Sequence, residues 1–540
     1  MTSPTTRSPR AVAFVRVALV FLLAAVGLVP AAPAVADGQP SLPAPSGRHA
    51  VGTVSVHLVD RSRPDPWVAS MPHRELMVSV WYPALPSADR PRARYMSPGA
   101  AERFDAVRAP GLGIPSGTVD WAGMRTHARD GAPVDRRGGR RPVVLYSPGA
   151  GDPRTWGTVL VEELASRGYV VVTIDHTYDS PAVSFPDGSV TGNEPLLRAF
   201  AQAEEEGTIP ALLEKLLRVR VADARFVIDR LGTLPGGLAD VVDPRRVGMF
   251  GQSAGGITAA QGMYEDRRIR AGIDLDGTLE YSRVPDGTTL MPVARHGLRQ
   301  PLLLMGREGS DHTTEPSWGA FWANTHGWKR DLTLRGSRHQ SYTDLVALLP
   351  QVGVGQEVIE STIGTVDPAR AVAALRAYVT SFFDRWLRGR DNHLLDGPSA
   401  HYPEVAFVPR PPVQDFSEPS AARIRVPITK CSARGGQMVA EPGGFALDGT
   451  SGRDLISALE AQLDRVEDWS ARVAELARPL PLGANPVGEA MSARFSGWAG
   501  ESFAAALAGY RVALQGARDA VRDSLELYSS VDQERAGAFR

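Results

Sequence analysis

From residue 51 the apolar positions alternate with period two. Val51-Gly-Thr-Val-Ser-Val-His-Leu-Val and, after a proline-rich turn, Leu76-Met-Val-Ser-Val-Trp-Tyr each predict a β-strand. Largely apolar runs follow at Pro142–Ser147, Tyr169–Ile174, Arg246–Phe250, Ala271–Leu275, Pro301–Met305 and Asp331–Leu334. Strands buried on both faces read in this way. Between them the apolar spacing changes to threes and fours, which predicts helices over about 155–167, 212–231 and 367–388, and another beyond Ala254. This alternation predicts an α/β fold, a mostly parallel, doubly wound sheet covered by helices on both faces. The stretch from Pro195 to Gly207 reads as an amphipathic helix whose Glu204-Glu-Glu206 end is solvated; a mobile lid is the alternative.

Past residue 410 the pattern changes. Pro411, Pro412, Pro419 and Pro427, then Ser432–Gln437 without periodicity, predict a linker over 411–437. Leu459, Leu463, Val466, Trp469, Val473 and Leu476 then recur at helical spacing, as do Phe503, Leu507, Tyr510, Leu514, Val521 and Leu525. Pro479, Pro481 and Pro486 separate the two stripes. Two such stripes bury against each other or a partner, so 438–540 is expected to be an α-helical hairpin domain.

A chain of 540 residues exceeds one core, which agrees with this division. A formal net charge of −1 gives no long-range field toward nucleic acid or an anionic membrane. Arginine far outnumbers lysine and Ala, Gly and Pro abound, a bias of GC-rich bacterial codons. At the N-terminus, Arg7, Arg10 and Arg16 precede or enter the apolar run Val17–Val29, and Ala34-Val-Ala36 follows. That is the order of a cleaved export signal, so residues 1–36 are expected to be removed and 37–410 to form a secreted catalytic domain. The only cysteine, Cys431, excludes an intramolecular disulfide. No Cys/His cluster has metal-ligand spacing, so no metal is expected.

Chemistry enters at Gly251-Gln-Ser253-Ala-Gly255. A serine between a predicted strand and a predicted helix, flanked by glycines, projects its hydroxyl from a tight turn where side chains would clash. The hydroxyl needs a base. In chain order Ser, acid, His, the base is His339, in the loop Gly336-Ser-Arg-His-Gln; His312 and His326 are rivals. For the acid, spacing leaves Asp276, at the end of Ile273-Asp-Leu-Asp, level with Asp311, which follows the next strand. Asp274 lies two residues earlier.

Trp81-Tyr-Pro, Ser147-Pro-Gly-Ala-Gly151, Gly251-Gln-Ser-Ala-Gly-Gly256, Gly272-Ile-Asp-Leu-Asp276 and Arg335-Gly-Ser-Arg-His-Gln340 span about residues 51–410. In letters, order and spacing they resemble the plasma-type platelet-activating factor acetylhydrolases and their bacterial esterase and lipase relatives, which have the α/β-hydrolase fold. The resemblance implies Asp276 as the acid, His339 as the base, and an oxyanion hole of the Ala254 and Ala150 backbone N–H groups. The family often has His-Gly in the glycine turn, where this chain has Pro148-Gly149. It implies acyl transfer without a cofactor on short-acyl or lipid esters; a general lipase, a polyester hydrolase and an acyltransferase are the alternatives.

Residues 438–540 resemble the WXG100-type secreted helical hairpins, with Trp498-Ala-Gly500 in the inter-helix turn and Tyr528-Ser-Ser-Val-Asp532 like a type VII secretion signal. The break between the helices is longer than in that family. This implies a helical partner for the hairpin, or a protein whose role is partner binding with the hydrolase as passenger. An export signal and a type VII signal on one chain are redundant. With Met438 just past the linker, that redundancy points to a second reading frame fused to the first.

Overall fold

Along the strand Arg141–Ser147 successive side chains enter two different cores. Val143 and Leu145 pack on one face of the sheet, and Val144 and Tyr146 on the other. The same division separates Leu302 and Leu304 from Leu303 and Met305. An unbroken apolar run is therefore the period-two pattern of a strand with protein on both sides.

The computed structural model describes residues 39–282 and 287–409, the backbone of 425–434 and 437–446, and scattered helical positions between 456 and 522. Its main sheet has eleven strands: β1 (Ala50–Asp60), β2 (Arg74–Ala84), β3 (Arg92–Arg94), β4 (Arg125–Asp130), β5 (Arg141–Ser147), β6 (Val170–Asp175), β9 (Val242–Gln252), β10 (Ile269–Leu275), β11 (Leu302–Gly306), β12 (Lys329–Leu334) and β13 (Val405–Phe407). A two-residue pair, β7 (Val183–Ser184) and β8 (Val190–Thr191), stands apart. The order across the sheet is β13-β12-β11-β10-β9-β5-β6-β2-β1-β4-β3. From β12 to β6 all neighbours are parallel; β2 is antiparallel to both β6 and β1, so the sheet is mixed with a parallel centre. Each edge ends in a three-residue strand, β3 or β13.

The helices are α1 (Pro98–Val107), α2 (Thr158–Ser166), α3 (Glu194–Glu206), α4 (Ile209–Arg230), α5 (Leu238–Val241), α6 (Ala254–Glu265), α7 (Pro292–His296), α8 (Pro316–Asn324), α9 (Leu345–Leu348), α10 (Gln356–Ile363) and α11 (Pro368–Arg388). Buried residues of α1, α2, α9 and α11 share one core, and those of α4, α6, α7 and α8 share the other. The layering fits the α/β-hydrolase expectation. The segment read as an amphipathic helix is α3, which buries Leu196 and Ala203, exposes Leu197, and ends at Gly207 with φ 67°. None of the helices among the described residues is long and apolar enough to cross a membrane.

The chain divides into two compact units, Met1–Arg410 and Pro411–Arg540. The stretch read as a linker over 411–437 needs correction, because β14 (Arg425–Arg434) pairs in antiparallel register with β15 (Gln437–Ala446). The sequence between them is Gly435-Gly436, a dipeptide favoured in two-residue hairpin connections, and prolines elsewhere in the segment obscured that signal. The described positions beyond 455 are helical, with Leu463, Val466 and Leu514 buried together. Residues 1–36, Trp498-Ala-Gly500 and Tyr528–Asp532 lie outside the described residues.

Candidate active site

The parallel strands end in lockstep, with Gln252 beside Leu275 and Leu275 beside Met305. The residues that follow β9, β10 and β11 therefore emerge together at the carboxyl edge, where open α/β sheets gather ligand chemistry. They are Ser253, Asp276 and Arg307.

Ser253 joins β9 to α6 with φ 56° and ψ −126°, a conformation that serine adopts only under constraint. Its N–H donates to the Leu275 carbonyl at 2.8 Å, and its carbonyl accepts from Ile257 at 3.0 Å. Glycines make the turn possible: a Cβ on Gly251 or Gly255 would run into the Ser147 carbonyl oxygen. Ala254 opens α6, where the unpaired N–H groups and the helix dipole favour negative charge.

Asp276 also has positive φ, 59°, and its N–H donates to the Met305 carbonyl at 3.0 Å. The residue is 4% exposed. One oxygen lies 2.5 Å from His339 Nδ1 and accepts from Arg307 Nη1 at 2.8 Å; the other accepts the Arg307 backbone N–H at 3.1 Å. Burial pushes this carboxyl up, but the His339 ring and the Arg307 charge outweigh it and hold the group below its ordinary value.

His339 follows β12 through a loop whose shape is fixed at several points. Gly336 has φ 69° and its carbonyl accepts from Thr365 at 2.7 Å, and the Tyr342 hydroxyl donates to the Gly306 carbonyl at 2.6 Å. The Gln252 side chain donates to the His339 carbonyl at 3.2 Å, joining this loop to the residue before the serine. Nδ1 is committed to Asp276. Neither His339 Nε2 nor Ser253 Oγ has a hydrogen-bond partner among the described residues, leaving both for an incoming molecule.

The rival residues are used elsewhere. Asp311 closes its own turn, accepting from Thr313 N–H at 2.7 Å and Thr313 Oγ1 at 2.6 Å. Asp274 is fully buried and accepts the Gly277 N–H at 2.9 Å, and burial drives its carboxyl well up. His312 is held by Asp331 at 2.7 Å and stacks on Trp322, while His326 is exposed. Ala150 lies exposed on the turn Pro148-Gly-Ala-Gly151, with Gly151 at φ 73°. The turn leans against the end of β9, just before the serine, since a Cβ on Gly149 would press on the side chains of Asp152 and Gln252.

Sequence reasoning missed Arg307, because one arginine after a strand carries no pattern. A serine in a strained turn, a histidine with a free Nε2 and a carboxylate fixing its Nδ1 together make the arrangement that can form and hydrolyse an acyl-enzyme.

The family described as platelet-activating factor acetylhydrolase, isoform II, matches residues 37–207 and 227–396. A probable 1-alkyl-2-acetylglycerophosphocholine esterase of Arthroderma benhamiae is 32% identical over 400 residues, covering 69% of this chain and 96% of the relative. The platelet-activating factor acetylhydrolase of Bos taurus is 25% identical over 302 residues, 48% of this chain and 64% of that one. Among solved structures, a ferulic acid esterase from Streptomyces cinnamoneus is 38% identical with a TM-score of 0.56, covering 69% of this chain and all of the other.

Proposed function

The chain is an esterase of the platelet-activating factor acetylhydrolase isoform II family, and on that premise we propose that it is a secreted serine hydrolase using Ser253, His339 and Asp276 on short-acyl esters. His339 Nε2 takes the proton as Ser253 Oγ adds to the ester carbon. Asp276 keeps the ring in the tautomer that leaves Nε2 free and balances the imidazolium that forms. The Ala254 and Ala150 N–H groups receive the developing oxyanion. Collapse of the tetrahedral intermediate expels the alcohol, which takes the proton from His339, and water then attacks the acyl-enzyme by the same route. No step requires a metal or organic cofactor.

The observation that carries this reading is the bond from Asp276 to His339 Nδ1 beside the strained turn of Ser253. For short acyl groups the support is the name of the fungal relative, an esterase of an acetylated glycerophosphocholine. For secretion it is the basic–apolar–small order of residues 7–36, immediately before the family match begins at residue 37.

A fluorophosphonate probe followed by peptide mass spectrometry tests the mechanism. Labelling is expected at Ser253 and lost in Ser253→Ala, with kcat on p-nitrophenyl acetate reduced about 10⁶-fold. Labelling elsewhere, or none in folded protein, would end this reading. Comparing acetyl, butyryl and palmitoyl p-nitrophenyl esters with 1-alkyl-2-acetylglycerophosphocholine tests the acyl preference, which fails if the palmitoyl ester is the best substrate.

A further inference from the structure

Beneath the glycine turn lies a second set of serine, histidine and aspartate. Ser147 Oγ is 2.9 Å from His176 Nε2, and His176 Nδ1 is 2.9 Å from Asp223 Oδ2. All three are fully buried, so no substrate reaches them. The Asp223 carboxylate also accepts from Arg74 Nη2 at 2.8 Å, and Asp223 is therefore the acceptor for His176 Nδ1–H. Burial and the nearby Arg220 charge lower the His176 pKa, so the ring is neutral and Nε2 accepts the Ser147 O–H. The Ser147 oxygen accepts in turn from Arg220 Nη1 at 3.3 Å.

Arg220, on α4 and fully buried, uses the rest of its guanidinium on the turn. Nη1 donates to the Pro148 carbonyl at 2.7 Å and Nη2 to the Gly149 carbonyl at 2.9 Å. Nε donates to Asp179 at 2.6 Å, and the other oxygen of Asp179 accepts the Gly151 N–H at 2.9 Å. One fork thus fixes the backbone on both sides of Ala150.

Peptide geometry supplies the next step. The Gly149–Ala150 bond is trans, so the Ala150 N–H points opposite to the Gly149 carbonyl. With that carbonyl held on the buried arginine, the N–H is turned to the open side. It has no acceptor among the described residues, and Ala150 itself is exposed. The turn packs on the first turn of α6, where a Cβ on Gly255 would meet the Ser147 and Pro148 carbonyls.

We infer that Arg220, locked by Asp179 and by the Ser147–His176–Asp223 chain, is the positioning residue that aims the Ala150 N–H at the oxyanion. The inference rests on Ser253 as nucleophile and Ala150 as oxyanion donor. Arg220 touches no reacting atom; it acts through the backbone.

The test compares Arg220→Lys and Ser147→Ala with the wild-type full-length protein on p-nitrophenyl acetate. Each protein is also titrated with an aliphatic trifluoromethyl ketone and with the matching non-reactive amide. Ser253 Oγ adds to the ketone carbon, its proton passes to His339, and the carbonyl oxygen becomes the anion that the hole must hold. The amide forms no such anion.

Lysine keeps the charge but loses the fork. Arg220→Lys is expected to lower kcat about 10²-fold and weaken the ketone in parallel, with KM and amide affinity within about threefold of wild type. Ser147→Ala is expected to show the same pattern at about three- to tenfold. A folded variant with ketone affinity unchanged, or with ketone and amide weakened equally, overturns the inference. If Arg220→Lys does not fold, Ser147→Ala alone decides by the same two measurements. Loss of fluorophosphonate labelling in the wild type would instead remove the catalytic reading beneath it.

Discussion

Asp276 meets a ring nitrogen and a guanidinium with one carboxylate oxygen, and its other oxygen receives the Arg307 backbone N–H. An amide in its place keeps one acceptor and turns the other into a donor, which favours the wrong His339 tautomer. Asp276→Asn is expected to lower kcat about 10⁴-fold with KM nearly unchanged, read from steady-state kinetics. A loss below tenfold would show that Asp276 does not orient the ring. Ser253 and His339 stood out in the sequence as candidates because a glycine-flanked serine between strand and helix has few other uses and because chain order points to a late histidine. The acid was not separable by spacing, since Asp276 and Asp311 both follow sheet strands. The difference lies in what each carboxylate does locally, and Asp311 satisfies Thr313 in its own turn.

Helix α4 shows what a periodic pattern conceals. Its apolar stripe of Leu212, Leu216, Val219 and Val227 predicted the helix, and Arg220 and Asp223 sit within that stripe, fully buried. Charges on a core face were the available signal that this helix supports a polar network. Burial pushes the Asp223 carboxyl up, but Arg74 and His176 outweigh it and hold the group far below its usual range. Asp223→Asn leaves the Arg74 charge inside the protein without its full counter-charge, which is expected to destabilise the fold by about 3–5 kcal/mol in urea unfolding at pH 7. The pH dependence has a definite sign. Below about pH 4 the unfolded chain takes up a proton at Asp223 that the native state refuses, so wild-type stability falls by about 1.4 kcal/mol per pH unit. The variant lacks this loss, and the gap between the two is expected to narrow on acidification; a constant gap from pH 7 to 3 would contradict the assignment. The central strands were legible because both faces are apolar. β4 and β13 were not, because β4 (Arg125–Asp130) is largely polar and β13 has only three residues.

Ser253, Asp276, His339 and the whole Arg220 network belong to the unit ending at Arg410, and the family match ends at residue 396. A chain of residues 37–410 is therefore expected to keep kcat/KM within about twofold of the full-length protein, and N-terminal sequencing of secreted material should begin at Asp37. A tenfold loss on truncation would give residues 411–540 a part in catalysis; an N-terminus still carrying residues 1–36 would exclude signal cleavage. The sheet itself narrows to three residues at both margins, and on β3 the two outer positions are exposed arginines, Arg92 and Arg94, around a buried Ala93. At β3 and β13 themselves the row of free amides and carbonyls is short, and on β3 it is flanked by like charges. The two end strands thus offer an incoming strand little length along which to add to the sheet.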